Sequence, residues 1–129
     1  DNKLFLFAHS MGGGIAARFV EMYPEYFAAA VLSAPMMEVD TGSVNATLAR
    51  TIANSMVRLG KGVDYVLGQG PYEEGYYFDT SNTFSKSMFD YAYDIMIKEE
   101  MFQKGGASYR WLKQAFALTD DLTFLEENL

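Results

Sequence analysis

Leu4-Phe5-Leu6-Phe7-Ala8-His9-Ser10-Met11-Gly12-Gly13-Gly14 is the stretch from which the rest of the chain is read. An apolar run breaks into a small-x-Ser-x-Gly turn and resumes at helical spacing, the layout of a nucleophile elbow with the serine at its apex. The residue types follow from the chemistry. Ser10 has to occupy a strained turn so that its Oγ projects from the carboxyl end of a strand, and small residues at Ala8 and Gly12 are expected to let strand and helix approach closely. A serine hydroxyl is a weak nucleophile by itself, so a base must take its proton and hydrogen-bond donors must hold the oxyanion. The sequence therefore offers Ser10 as nucleophile and the backbone N–H of Met11 as the first oxyanion donor.

Outward from the turn, the context matches what the motif requires. Lys3 to Ala8 reads as a parallel strand covered on both faces. Ile15, Phe19, Val20 and Tyr23 recur at helical spacing, and Pro24 stops that helix. Ala28 to Ser33 is a second buried-type strand ended by Pro35, and the right-handed crossover rule places it parallel to the first and beside it. Beyond Met37 the pattern changes to helices separated by polar, glycine-containing loops. Val44, Leu48, Ile52, Met56 and Leu59 predict a helix over about 43–59, with Ser43 as N-cap and Gly60 just past the end. A long loop covers 61–83. A further helix over about 84–101 carries Phe84, Met88, Ala92, Ile95 and Met96 on one side, with Phe89, Tyr93 and Ile97 beside them. The last, over about 107–118 and extending towards 127, shows Trp111, Ala115, Leu118, Leu122 and Leu125.

Ala-His-Ser-Met-Gly-Gly-Gly resembles the elbow of the α/β-hydrolase superfamily, in the branch holding lysophospholipases, monoacylglycerol lipases and serine aminopeptidase-like hydrolases. Pro24 and Ser33-Ala34-Pro35-Met36 are similar to the same branch, as are Gly68-Gln69-Gly70 and Gly105-Gly106-Ala107-Ser108-Tyr109-Arg110-Trp111 of its cap. The resemblance implies an α/β fold, with residues 1–36 as part of the hydrolase core and 37–129 as a helical cap. It also implies a lysophospholipid, a monoacylglycerol or another ester as substrate. In such hydrolases the triad acid and histidine follow the cap, and the second oxyanion donor precedes the elbow. None of these is found in the chain, which reads as a fragment, inactive alone.

Composition narrows the field. The chain has 129 residues, is 50% hydrophobic and 16% aromatic, and carries a formal charge of −7. This is globular material, and the charge argues against a nucleic-acid partner and against docking on anionic lipid through basic residues. There is no cysteine, hence neither disulfide nor thiolate metal site. No apolar run is long enough to span a bilayer. A cytoplasmic or peripheral membrane location is expected. Neither cofactor nor metal is implied, because the single histidine lies far in sequence from the acidic pairs, and Gly68-Gln69-Gly70 lacks the third glycine of a dinucleotide fingerprint.

His9 precedes the nucleophile, and neighbouring side chains on a strand face opposite ways, so His9 is read as structural, packed beneath the elbow. Asp120-Asp121, Glu126-Glu127 and Glu99-Glu100 read as solvated helix face. The eight methionines suggest that Met36, Met37, Met56, Met88, Phe89 and Met96 line an acyl-chain groove, since methionine adapts to irregular apolar ligands. Two parallel strands with open edges also call for the remainder of the parent chain or for self-association. Two other readings stay open: a peptidase or small-ester esterase on the same scaffold, and a non-catalytic binding module.

Overall fold

The computed structural model describes residues 3–75, 77–81 and 83–126, without the side chains of 80 and 123–126. The side chain of Leu125 and the pair Glu126-Glu127 therefore lie outside the described residues. The chain folds into two compact units, one of Asp1–Val63 with Tyr109–Leu129 and one of Asp64–Ser108.

In the first unit, strand β1 (Phe5–His9) leads directly into helix α1 (Ser10–Met22), and strand β2 (Ala29–Ser33) returns parallel beside β1. The register pairs Phe5 with Ala29, Phe7 with Val31 and His9 with Ser33. The expected strand–helix–strand unit is present. Its coverage differs from the expectation. Leu6 and Ala8 are half-buried, whereas Phe5 and Phe7 remain 71% and 73% exposed and Val31 57%, so one face of the sheet is bare among the described residues. A continuous apolar run registers a strand destined for burial on both faces, and the described residues cover only one of them.

Helix α2 (Ala46–Arg58) starts three residues later than predicted. Asn45, not Ser43, is the N-cap: its Oδ1 accepts from the N–H groups of Thr47 at 2.9 Å and Leu48 at 3.3 Å. Asn45→Ala removes the acceptor of two orphan donors and is expected to lower stability by about 1 kcal/mol, measured by urea titration. The stop is as predicted. Gly60 takes φ +78°, and the N–H groups of Gly60 and Lys61 donate to the carbonyls of Val57 and Met56, a Schellman closure.

Helix α4 (Tyr109–Glu126) joins these pieces. It runs in the same direction as α1: Trp111 reaches Met11, and further along Asp121 lies 3.6 Å from Arg18. Against α2 it is antiparallel, since Arg50 reaches Asp120 and Phe116 while the carbonyl of Gly62 accepts from Arg110 N–H at 2.8 Å. The Arg50 guanidinium forms a two-pronged ion pair with Asp120 and sits 4.3 Å from the centre of the Phe116 ring. Asp120 and Asp121, expected on a solvated face, are indeed exposed, and both also face arginines.

The core of this unit is built largely from small residues on α1 and α2, with larger ones supplied by α4. Ala16, Ala49 and Ala53 are buried, as are Leu112, Ala115, Phe116 and Leu122. Most of the predicted stripe of α2 points elsewhere: Val44, Leu48, Ile52 and Leu59 are exposed, and Met56 alone of the five is half-buried.

In the second unit, helix α3 (Lys86–Lys98) is capped by Ser85, whose Oγ accepts from Met88 N–H at 3.4 Å. The predicted span of 84–101 is shortened at both ends. Phe84 lies outside the helix and is fully exposed, and a separate 3-10 turn takes Glu100–Phe102. Glu99 and Glu100 are exposed, as expected. The two glycine motifs meet in this unit. Gly106 N–H donates to the Gly70 carbonyl at 2.8 Å and Val66 N–H to the Ala107 carbonyl at 2.9 Å, next to an antiparallel bridge between Tyr65 and Ser108. A Cβ on Gly105 would stand 2.7 Å from Tyr65 Oη and 2.9 Å from the Gly70 carbonyl oxygen, so glycine is demanded there by close approach.

Candidate active site

Ser10 sits where β1 becomes α1, with φ +53°, a left-handed conformation that costs a non-glycine residue about 1–2 kcal/mol. Its side chain is exposed, and among the described residues its hydroxyl has no hydrogen-bond partner. Directly across the register, Ala34 follows Ser33 with φ +42°. The two left-handed residues end neighbouring strands, so the backbone turns sharply at both. The chain after β2 holds the turn after β1 in place: Met36 N–H donates to the Ser10 carbonyl at 2.9 Å.

This docking explains the glycines. A Cβ on Gly13 would stand 2.8 Å from Pro35 Cα, and one on Gly14 would stand 2.5 Å from the Met36 carbonyl oxygen. Gly12, expected to permit close approach of strand and helix, has no neighbour within 4 Å of where its Cβ would be. The approach that matters is between α1 and Pro35-Met36, one turn further along. Three successive glycines are poor helix formers, at about 1 kcal/mol each relative to alanine, and packing overrides that preference.

Met11 occupies the first turn of α1. His9, the residue at the N-cap, provides no side-chain cap, and N–H groups of a first turn have no partner four residues back. The Met11 N–H is therefore placed beside Ser10 at the positive end of the helix. Its side chain is held from α4, where the Trp111 indole N–H donates to Met11 Sδ at 3.1 Å. The sequence contained no signal for that contact, which joins residues one hundred positions apart.

His9 is the only histidine. Its Nδ1 lies 2.9 Å from the Ser33 carbonyl and 3.3 Å from Ser33 Oγ, an arrangement in which the Nδ1–H tautomer donates to the carbonyl. The ring ties β1 to β2 as a structural residue would. It is exposed, however, and not packed beneath the elbow. No cluster of three or more acidic or histidine side chains is placed to hold a metal among the described residues, and none of the described helices is long and apolar enough to cross a membrane.

The six residues predicted for an acyl groove fall in both units. Met36, Met37 and Met56 belong to the first, with Met36 fastened to the Ser10 carbonyl. Met88, Phe89 and Met96 belong to the second. There, Phe89 and Met96 line a shallow depression of about 90 Å³ with Ala92 and Tyr93, and Met88 is exposed. The Tyr93 phenol lies above its ordinary pKa, through desolvation first and then the nearby Glu74 charge.

The family model for serine aminopeptidases, S33, matches residues 1–129. The chain belongs to this family. The α/β-hydrolase fold of the family accounts for the β1–α1–β2 unit, whose two strands run parallel among the described residues. A protein of Haemophilus influenzae described as probable lysophospholipase L2 is 32% identical over 108 residues, or 83% of this chain and 34% of that protein. The chain thus spans about a third of the length of that curated relative. No solved structure matches it.

Proposed function

We propose that the natural polypeptide carrying this sequence is a serine carboxylic ester hydrolase acting on lysophospholipid- or monoacylglycerol-like esters through an acyl-enzyme. The observation that carries the reading is the left-handed Ser10 at the strand-to-helix junction, with its hydroxyl exposed and the Met11 N–H beside it. Ser10 Oγ attacks the ester carbonyl and forms the new C–O bond, while its proton passes to a general base. The Met11 N–H stabilises the oxyanion. Collapse of the tetrahedral adduct expels the protonated alcohol, and water then hydrolyses the acyl-serine.

His9, the only histidine of residues 1–129, is engaged by Ser33, so on this reading the base is a histidine outside them. The bare face of Phe5, Phe7 and Val31 is in keeping with further polypeptide of the same protein covering the sheet. On this reading residues 37–129 contribute the cap, of which Asp64–Ser108 form a compact unit of their own. Within the first unit, Met36 next to the elbow supports an acyl-chain ligand.

Intact-mass spectrometry after treatment with a fluorophosphonate probe tests the assignment. A single adduct mapped to Ser10 is expected in the natural polypeptide. A probe-inert, folded protein that still hydrolyses esters would overturn it. The family description favours aminopeptidase activity as the second reading, and turnover of an aminoacyl p-nitroanilide in preference to a monoacyl ester would select it.

A further inference from the structure

We propose that Trp111 is a positioning residue for the oxyanion donor, acting through the side chain of Met11. The inference rests on the assignment of Ser10 and Met11 made above. Ser10 is held in a left-handed conformation that relaxes unless its neighbours restrain it. Two restraints come from the segment after β2, namely the Met36 N–H on the Ser10 carbonyl and the packing of Pro35-Met36 against Gly13 and Gly14. Both act on the backbone of Ser10 or on α1 beyond Met11.

The contact to Met11 comes from α4. The indole N–H is a donor only, and it points at the thioether sulfur at 3.1 Å. Sulfur is a weak acceptor, so the value of the contact is directional more than energetic. It fixes the side chain of the very residue whose N–H faces the developing oxyanion. Trp111 is itself anchored, because the flanking turns of α4 bury Tyr109, Leu112 and Ala115, and α4 stays alongside α1 through Arg18 and Asp121. Movement of α4 relative to the elbow is thereby coupled to the oxyanion donor. Trp111 and Met11 are 38% and 42% exposed, so the pair is not a core contact on which folding depends.

The test uses the natural polypeptide with a p-nitrophenyl acyl ester and a fluorophosphonate probe. Trp111→Phe keeps the aromatic bulk and removes the N–H; Met11→Leu keeps the backbone N–H and removes the acceptor. Each is expected to lower kcat about 5- to 20-fold, a fraction of the loss on deleting an oxyanion donor, with KM within about twofold. The rate of phosphonylation falls by the same factor, because it develops charge on an oxygen held by the same N–H, and the thermal midpoint is unchanged. The double variant is no slower than the slower single variant, as for residues acting through one contact.

Wild-type kcat in both folded single variants, or losses that multiply in the double variant, would overturn the proposal. So would a change confined to KM, which would make the pair a substrate wall. If Trp111→Phe does not fold, Met11→Leu decides alone. Ser10→Ala, run in parallel, separates the two claims. Turnover surviving in it removes the nucleophile assignment, whereas a dead Ser10→Ala beside fully active Trp111 and Met11 variants removes only the positioning role.

Discussion

Ser10→Gly is expected to reduce ester turnover by about four orders of magnitude or more while making the protein more stable. The first half follows from the proposed role of Ser10 Oγ as the attacking oxygen. The second follows from φ +53° at this position. A Cβ in the left-handed region costs about 1–2 kcal/mol, and glycine removes that cost while adding about 0.5–1 kcal/mol of chain entropy to be lost on folding. The net gain is about 0.5–1 kcal/mol. No hydrogen bond from the Ser10 hydroxyl is lost among the described residues. Ser10→Ala serves as the control, since it is equally inactive but keeps the Cβ and gains nothing. Calorimetry and an ester assay on the same preparations read both effects. A Ser10→Gly variant less stable than Ser10→Ala would show that the turn is not strained, and a Ser10→Gly variant that retains turnover would remove Ser10 from the chemistry.

Gly14→Ala is expected to destabilise the fold by about 3 kcal/mol and to lose most activity with it. The new Cβ would stand 2.5 Å from the Met36 carbonyl oxygen. Met36 cannot simply retreat, because its N–H is bonded to the Ser10 carbonyl at 2.9 Å, so relief of the clash is transmitted to the elbow. Gly12→Ala is the matched comparison two residues earlier on the same helix. With open space around it, alanine there raises helix propensity unopposed and is expected to stabilise by about 0.5–1 kcal/mol. Urea unfolding of the two variants therefore moves in opposite directions. Equal effects would mean that helix propensity, and not the approach of Pro35-Met36, governs this run of glycines.

Much of the local architecture was legible in residues 4–36. An apolar run ending in Ala-His-Ser-Met-Gly has few ways to be both a strand and a helix start, and the parallel return of β2 follows from chain handedness. Helix boundaries were legible to within a few residues where one residue dominates the ending, as at Pro24 and Gly60. They were less so at the start of α2, where Ser43 and Asn45 are both competent caps and only the turn formed by Asp40 to Val44 selects the second.

The inward face was legible on α4, where the predicted Ala115 and Leu122 are buried, and was not legible on α1 and α2. Hydropathy periodicity counts large apolar residues, and around α2 it marked Val44, Leu48, Ile52, Met56 and Leu59, of which only Met56 is even half-buried. The helix instead turns Ala49 and Ala53 towards α4, and α1 likewise buries Gly13, Gly14 and Ala16. Close packing between backbones rewards the absence of side chains, a quantity that hydropathy does not measure.

The sequence by itself determined the strand-to-helix turn at Ser10, its flanking strands and the existence of the four α-helices, because those depend on neighbours within a few residues. Only the tertiary structure decided that Gly13 and Gly14 serve Pro35-Met36, that His9 bonds Ser33, that the two glycine motifs clasp each other, and that Trp111 holds Met11. Those contacts join residues more than twenty positions apart, and their identity depends on which surfaces the folded chain brings within reach.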